Sequence, residues 1–385
     1  MNICITPTRL HGSVVVPSSK SIGHRELICA ALAQGESVVE NISVSQDIEA
    51  TCRLLQAFGA SIEEIPSAYE GRTAYRVKGG LTKQGGTLTV DCGESGSTLR
   101  FLIPIGLYSG NTVVYTGRGQ LVKRPLEPYY RIFDEHGVSY KPTEGGLPLT
   151  VEGCLQPGRY ALAGDVSSQF FTGLLVMLPL LDGDSVLEST TPLESLSYVT
   201  MTLDCMARHG VDVQWDGGRL FHIPGNQQYM AGTYAVEGDY SQAAFWLAAG
   251  TLGHPVECLG LRHSSSQGDE VIVSILQRMG AVIGQTDSIA AHPSQLTGQV
   301  IDVEDCPDLV PILAVAASCG QGTTHIIHGA RVRLKECDRL HAIATELNKI
   351  GGCVEEEPDG LIICGVGALT GGRVSGWNDH RIAMA

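Results

Sequence analysis

The sequence predicts a mixed α/β (α+β) chain of two domains, assembled from one unit that recurs along its length, and three observations carry that prediction. One is the stretch GDVSSQFFTGLLVMLPLLDGDSVLES, Gly164 to Ser189. It reads as a polar turn with Asp165, Ser167 and Ser168 available as helix caps, an apolar run from Phe170 to Leu181, a stop at Gly183 and a strand from Ser185. Another is the return of that stop at Gly35, Gly110, Gly183, Gly253 and Gly322, at intervals of 75, 73, 70 and 69 residues. The third is a second helix running out of phase, ending at Gly59, Gly137, Gly210, Gly280 and Gly351, spaced 78, 73, 70 and 71 apart. Self-similarity at a fixed period marks a repeated structural unit.

The unit carries two helices and several short strands. Its first helix opens in SSKS (18–21), ESGS (94–97), DVSSQ (165–169), DYSQ (239–242), CPD (306–308) and NDHR (378–381). If those openings share one side of the fold, several helix N-termini converge on one place, and such a place suits anions. The sixth copy enters a helix at NDHRIAMA and ends at Ala385, so the period predicts a chain truncated by roughly 35 to 40 residues.

Bulk composition narrows the class. With 385 residues, 43% hydrophobic and only 17% charged, the chain is globular and long enough for two full cores. The longest nearly apolar run is too short to cross a bilayer, and the start MNICITPTRLHGSVVV has no signal-peptide pattern. Twelve cysteines are spread without a CxxC pair or a Cys/His cluster, which predicts reduced thiols, a cytoplasmic location and no bound metal. A net charge of -15 argues against nucleic acid and anionic membrane as partners, so the basic residues that do occur must gather where an anion binds.

Taken in order, residues 1–13 read as a strand ending in a His-Gly turn. VVVPSSKSIGHRELICAALAQGES adds a strand, a turn and a helix bearing Lys20, Ser21 and Arg25. Lys20 near a helix start opposes the macrodipole, a conflict that a bound anion would reverse and a solvated lysine would tolerate. DIEATCRLLQAFG is an amphipathic helix with Ile48, Cys52, Leu55 and Phe58 on its buried face and Asp47 at its start. DCGESGSTLRF is a glycine-rich turn through Gly96 that lets backbone N–H groups approach a ligand.

TGRGQLVKRPLEPYY is the most basic stretch, with Arg118, Lys123 and Arg124 before a helix entered at Pro125. VSSQFF supplies Ser167, Ser168 and Gln169, and LESLSYVT supplies Ser195 and Tyr198. The three-unit count closes near residue 236. Beyond it, Asp308 precedes an apolar run and reads equally as a cap. Lys335 and Arg339 read as i and i+4 on one helix face, a like-charge pair that favours an anion unless Glu336 and Asp338 answer it locally. Asp379 at the NDHR opening reads as a cap. No segment completes a GxGxxG or Walker A motif.

Taken together, SSKSIGHR, SGSTLR, KRP, VSSQF, EGDYSQAA, SSSQGD, PDLVP, LKECDRL and NDHRIAMA resemble, in order and spacing, the 5-enolpyruvylshikimate-3-phosphate synthase family of enolpyruvyl transferases. The resemblance implies two domains, each of three βαβαββ-type units, with the sixth unit incomplete here. It implies domain limits of 14–236 for the first and of 1–13 with 237–385 for the second, with the active site in the cleft between them. It implies a cytoplasmic monomer that uses no cofactor and moves the enolpyruvyl group of phosphoenolpyruvate to the 5-hydroxyl of shikimate 3-phosphate. Phosphoenolpyruvate mimics such as glyphosate are possible ligands, and a methyl at Gly96 should crowd their pocket.

Residue by residue, the resemblance implies that Lys20, Ser21, Arg25, Ser167, Ser168, Gln169, Ser195, Tyr198, Asp308, Arg331 and Lys335 contact shikimate 3-phosphate. Lys20, Gly96, Arg124, Gln169, Arg339 and Arg381 would line the phosphoenolpyruvate site, and Asp308, Glu336, Lys20 and His380 would handle protons. Three arginines suit a carboxylate and a phosphate, since their forks make charge-assisted bonds worth about 1.5–3 kcal/mol each.

Three departures stand out. Glu94 occupies a position where many relatives have an amide, so its carboxylate must turn away or be protonated. Arg331 replaces a frequent asparagine. The family's last phosphoenolpyruvate lysine falls beyond Ala385, which predicts poor turnover. The rivals are UDP-N-acetylglucosamine enolpyruvyl transferase, which carries a catalytic cysteine or aspartate in the loop matching Gly117 to Pro125, and a non-catalytic repeat protein binding a phosphorylated metabolite. The loop here has neither residue.

Overall fold

The structure, a computed structural model, describes residues 3–6, 10–82, 85–143 and 146–385. The chain divides into two compact units, Ser18–Glu237 and Met1–Pro17 with Gly238–Ala385. Helices, in chain order, are α1 (Lys20–Leu32), α2 (Gln46–Ala57), α3 (Gly96–Tyr108), α4 (Glu127–His136), α5 (Ser168–Met177), α6 (Leu196–Arg208), α7 (Tyr240–Leu252), α8 (Ile272–Arg278), α9 (Val310–Ser318), α10 (Arg339–Lys349) and α11 (His380–Met384).

Five four-stranded sheets accompany them, three in Ser18–Glu237 and two in the other unit. Each repeats one pattern. In the sheet of Thr87–Asp91, Thr112–Thr116, Leu149–Glu152 and Ser139–Pro142, the first two strands are parallel and the rest antiparallel. A parallel pair needs a crossover, and α3 supplies it. The same arrangement joins Arg159–Leu162 to Ser185–Ser189 around α5 and Val300–Asp302 to Thr323–Ile327 around α9. In two sheets the parallel partner comes from far along the chain: Thr233–Ala235 beside Glu36–Ile42, and Gly12–Val15 beside Val256–Leu259. Among the described residues the first strand lies at Gly12–Val15, with its register set by Val256–Leu259; residues 1, 2 and 7–9 of the stretch read as a strand over 1–13 lie outside the described residues.

The two helix series differ as their sequences do. α1, α3 and α5 are buried along nearly their whole length, as runs apolar on every side must be. α2, α4 and α10 bury one stripe, in α2 through Ile48, Cys52 and Leu55. The long run from Phe170 is cut at Met177, where Pro179 turns the chain into a 3-10 segment, Leu178–Leu180. α4 ends at Gly137 with φ 68°, the left-handed stop its sequence announced.

α3 holds a proline, Pro104, in its interior. Proline has no N–H, so the Arg100 carbonyl loses its helical donor. Tyr129 of α4 replaces it, donating from Oη to Arg100 O at 2.6 Å. Each unit has its own apolar core, one centred on residues such as Phe101, Phe170 and Phe221, the other on Tyr240, Leu276 and Leu313. All twelve cysteines are free thiols, and no described helix is long and apolar enough to cross a membrane.

Candidate functional site

In Ser18–Glu237, the opening turns of four helices are tied together. Ser19 caps α1, Ser45 caps α2, Ser95 caps α3 and Ser167 caps α5, each side chain accepting from an N–H of the first turn. Lys20 Nζ pairs with Asp47 at 2.8 Å, joining α1 to α2. Thr98 Oγ1 donates to the Asp47 carbonyl at 3.2 Å, joining α3 to α2. Gln169 Nε2 donates to Ser97 Oγ at 3.1 Å, joining α5 to α3.

Arg25, 2% exposed, sits beneath this rim. It donates to Thr202 Oγ1 (2.8 Å), Ser21 O (2.8 Å), Thr172 Oγ1 (3.2 Å) and Tyr198 O (2.9 Å). Its guanidinium also lies 5.0 Å from the centre of the Phe101 ring. None of these partners carries a full negative charge, and burial lowers its pKa to about 10. Ser195 begins α6 in the left-handed region, φ 52°, and is 4% exposed. Ser168 is buried in the first turn of α5.

Gly96 opens α3 directly beneath Arg124. An ideal Cβ there would fall 2.6 Å from Arg124 Nη1 and 3.4 Å from Gln169 Oε1. Arg100 fixes this corner, donating to Gln169 Oε1 (2.8 Å) and Pro125 O (3.0 Å). Burial and the like charge of Arg124 bring its pKa down to about 10, so two guanidinium groups are held close in a site that an anion would stabilise. Glu94 is exposed and its carboxylate lies over Gly119. Arg118 pairs with Asp91 at 3.4 Å, apart from this corner.

The other unit gathers a second set. Asp308 does not cap α9; that position belongs to Leu309, without a side-chain bond. Its carboxylate, 15% exposed, instead meets Arg339 (2.7 Å), Arg381 (3.2 Å) and Lys335 (3.5 Å). Burial alone would raise its pKa, but Arg381, Lys335 and Arg339 outweigh that and hold it well below the usual carboxylate range. Arg339, 1% exposed, is also bound by Glu336 (2.8 Å) and Asp379 (2.8 Å). Burial lowers the Lys335 pKa by more than the neighbouring Asp308 restores.

One reading is corrected here. Lys335 and Arg339 do not share a helix, because Asp338 takes the N-cap of α10, accepting from His341 N, and leaves Lys335 in the preceding turn. Arg333, not Lys335, pairs with Asp338. Glu336 does bond Arg339, though from outside the helix. Arg331 reaches the Glu304 carbonyl at 3.2 Å, and His380 is exposed, its Nδ1 3.9 Å from Asp379.

Two positions make contacts that the sequence reading did not assign. Asp379 caps α11 through Arg381 N, as a cap should, and simultaneously clamps Arg339 through Nε. Arg100, which follows the glycine-rich turn with Ser97 and Thr98, bonds Gln169 of α5, a partner no local spacing shows. A surface trio, Asp302, Glu304 and His328, also brings three possible metal ligand atoms within 4.8 Å of one another, which its wide sequence spacing concealed. His328 is already hydrogen-bonded to Asp302 at 2.9 Å.

Comparison with known proteins agrees along the whole chain. The family model for EPSP synthase (3-phosphoshikimate 1-carboxyvinyltransferase) matches residues 5–385. A 3-phosphoshikimate 1-carboxyvinyltransferase of Clostridium kluyveri is 50% identical over 384 residues, covering 100% of this chain and 89% of the relative. That of Clostridioides difficile is 45% identical, with 99% and 88% covered. The solved EPSP synthase of Acinetobacter baumannii matches with a TM-score of 0.80 at 25% identity, over 97% of this chain and 87% of that one. By sequence along its length and by fold, the chain belongs to the EPSP synthase (3-phosphoshikimate 1-carboxyvinyltransferase) family.

Proposed function

We propose that this chain transfers the enolpyruvyl group of phosphoenolpyruvate to the 5-hydroxyl of shikimate 3-phosphate, releasing phosphate by addition and elimination, in the shikimate pathway to aromatic amino acids. Family membership over the full chain is the observation that carries this reading. The five sheets read as five copies of a βαβαββ-type unit, three of them in Ser18–Glu237, with α11 opening a sixth.

In this reading Arg25, with Lys20, Ser21, Ser167, Ser168, Gln169, Ser195 and Tyr198, holds shikimate 3-phosphate. Among the described residues its guanidinium meets hydroxyls and carbonyls rather than a carboxylate, so a phosphate would complete it. The family resemblance adds Lys335, Asp308 and Arg331 to the same set. Arg124 above Gly96, with Lys20, Gln169, Arg339 and Arg381, takes phosphoenolpyruvate, and a mimic such as glyphosate would meet the same groups.

The proton work follows from charge. Asp308 is ionised, so it can accept the 5-hydroxyl proton but is a weak base while three cations hold it. Two anionic substrates arriving among those cations weaken their hold and raise its basicity. Glu336, Lys20 and His380 share delivery of a proton to the methylene carbon. The tetrahedral adduct then loses phosphate from its central carbon as the same groups take a proton back from the methyl, which restores the double bond. The test is release of phosphate from phosphoenolpyruvate that requires shikimate 3-phosphate. Release that instead requires UDP-N-acetylglucosamine would overturn the reading.

A further inference from the structure

The sheet of Val300–Asp302, Thr323–Ile327, Gly360–Cys364 and Cys353–Glu357 carries two cysteines whose places in it are fixed by register. Its last two strands form a hairpin that turns at Pro358 and Asp359. The pairs run from Glu357 with Gly360 beside the turn to Cys353 with Cys364 at the open end, so the two cysteines are direct cross-strand partners. Alternation along a strand settles which way they face. The neighbouring pair, Val354 and Ile363, is buried in the core of this unit. Cys353 and Cys364 therefore lie together on the opposite, outward face, and both are exposed thiols.

This sets them apart from the rest. Six of the cysteines are buried, where a thiol serves as a small apolar side chain. The two other exposed ones, Cys4 and Cys154, lie outside the strands. Directly opposed strand residues hold their Cβ atoms about 4.5–5.5 Å apart and a disulfide holds them at about 3.5–4.5 Å, so a shift of about 1 Å separates the two thiols from a bridge. The hairpin's open end can supply it, because Cys353 is the first residue of its strand and follows Gly351, at φ 90°, and Gly352. A hydrogen bond with Cys364 raises the Cys353 pKa, as expected of sulfurs already in contact.

We propose that Cys353 and Cys364 form a reversible dithiol–disulfide site, oxidised by a low-molecular-weight disulfide and reduced again by a thiol. The exchange has two steps. The thiolate of one cysteine attacks the small disulfide, forming a mixed disulfide and releasing one thiol. The other cysteine gives its proton to solvent and attacks the protein sulfur of that mixed disulfide, closing the bridge and releasing the second thiol. The pair loses two electrons and two protons, and the small disulfide gains them.

The bridge would act on the support of Arg339. Arg333 ties the closed end of the hairpin to the turn before α10, donating to Glu356 Oε1 (2.6 Å), Glu357 O (2.6 Å) and Pro358 O (3.1 Å). It also holds Asp338, the N-cap of α10, at 2.8 Å. A bridge at the open end would fix both strands of that brace.

The test takes the folded wild-type chain in mixtures of oxidised and reduced glutathione, without denaturant. Remaining thiols are then alkylated and the peptides read by mass spectrometry. The expected product is one pair of peptides joined through Cys353 and Cys364, two hydrogens lighter than the reduced pair and returned to it by excess reduced glutathione. In Cys353→Ser, Cys364 should stop at the glutathione mixed disulfide. Separate glutathione adducts on both cysteines of the wild type, or two unchanged thiols while Cys154 reacts, would overturn the proposal.

Two further measurements show whether the fold makes the site. Repeated in denaturant, the same equilibrium should yield the bridge about tenfold less readily, since parted strands lower the effective concentration of one thiol at the other. Equal yields would mean that the register contributes nothing, and the proposal would fall. In the bridged chain, amide hydrogen exchange across Val354 to Glu357 should slow several-fold. Faster exchange would show a bridge that the sheet does not hold, which overturns it equally.

Discussion

Arg25 and Arg339 are both buried guanidinium groups, yet one is held by two hydroxyls and two carbonyls and the other by three carboxylates. The first keeps its full positive charge unanswered, and burial lowers its pKa. For the second, burial is outweighed by Asp308, Glu336 and Asp379, which raise it. An anion approaching Arg25 gains a counter-charge and displaces nothing charged. One approaching Arg339 must compete with acids already there. The difference separates a buried cation held by neutral groups, which an anion would complete, from one already answered by acids that an anion must displace.

The strongest way to break this comparison is Asp308→Asn. It deletes the one carboxylate that meets Lys335, Arg339 and Arg381 together. Turnover should fall by about 10²–10⁴, while phosphoenolpyruvate binding is kept or tightened because three cations lose a competitor. Stopped-flow and equilibrium binding measure the two separately. Unchanged turnover would remove Asp308 from the chemistry.

Asp379→Asn comes next. It leaves Arg339 with two of its three carboxylates, Asp308 and Glu336, while Asn can still cap α11. The loss is that of one charged hydrogen bond rather than a stranded ion, about 1.5–3 kcal/mol in denaturant unfolding. Asp308 carries a pH consequence of its own. Its pKa is depressed in the folded state, so its stabilisation is present above the unfolded value of about 4. It is lost as pH falls through the folded value, which acid unfolding of Asp308→Asn against wild type would show.

Gly96→Ala tests the other unit. The new methyl meets the end of the Arg124 side chain, which can swing aside at modest cost, so the fold should survive. KM for phosphoenolpyruvate should rise about tenfold, the equivalent of about 1.4 kcal/mol, with shikimate 3-phosphate binding unaltered. A rise in both would mean the two anions share this corner.

Much of this was legible in the residues. The glycine spacing, the capping serines and the contrast between all-apolar and amphipathic helices are local properties, and they place the helices in the chain, although α5 ends at Met177 well before Gly183. Asp308 and Lys335 were read less well, because a cap and a charged pair look alike in sequence until the three-dimensional partners are known. Asp379 satisfied its local role so completely that its second role, clamping Arg339 forty residues upstream, left no trace.

The smallest effect sharpens the comparison most. Thr202→Val keeps the shape of the side chain but removes the hydroxyl that accepts from Arg25 Nε at 2.8 Å and contacts Thr172 at 2.9 Å. Leaving a buried N–H without an acceptor costs about 1–3 kcal/mol, which should appear as a lowered Tm. Affinity for shikimate 3-phosphate should change only a few-fold, because the other three bonds to Arg25 still hold its charge in place. That change should also be the same at pH 6 and pH 8, since the direct partners of Arg25 are neutral hydroxyls and carbonyls. A marked pH dependence in Thr202→Val would mean that the cradle is coupled to an ionisable group after all, and the contrast with Arg339 would fail.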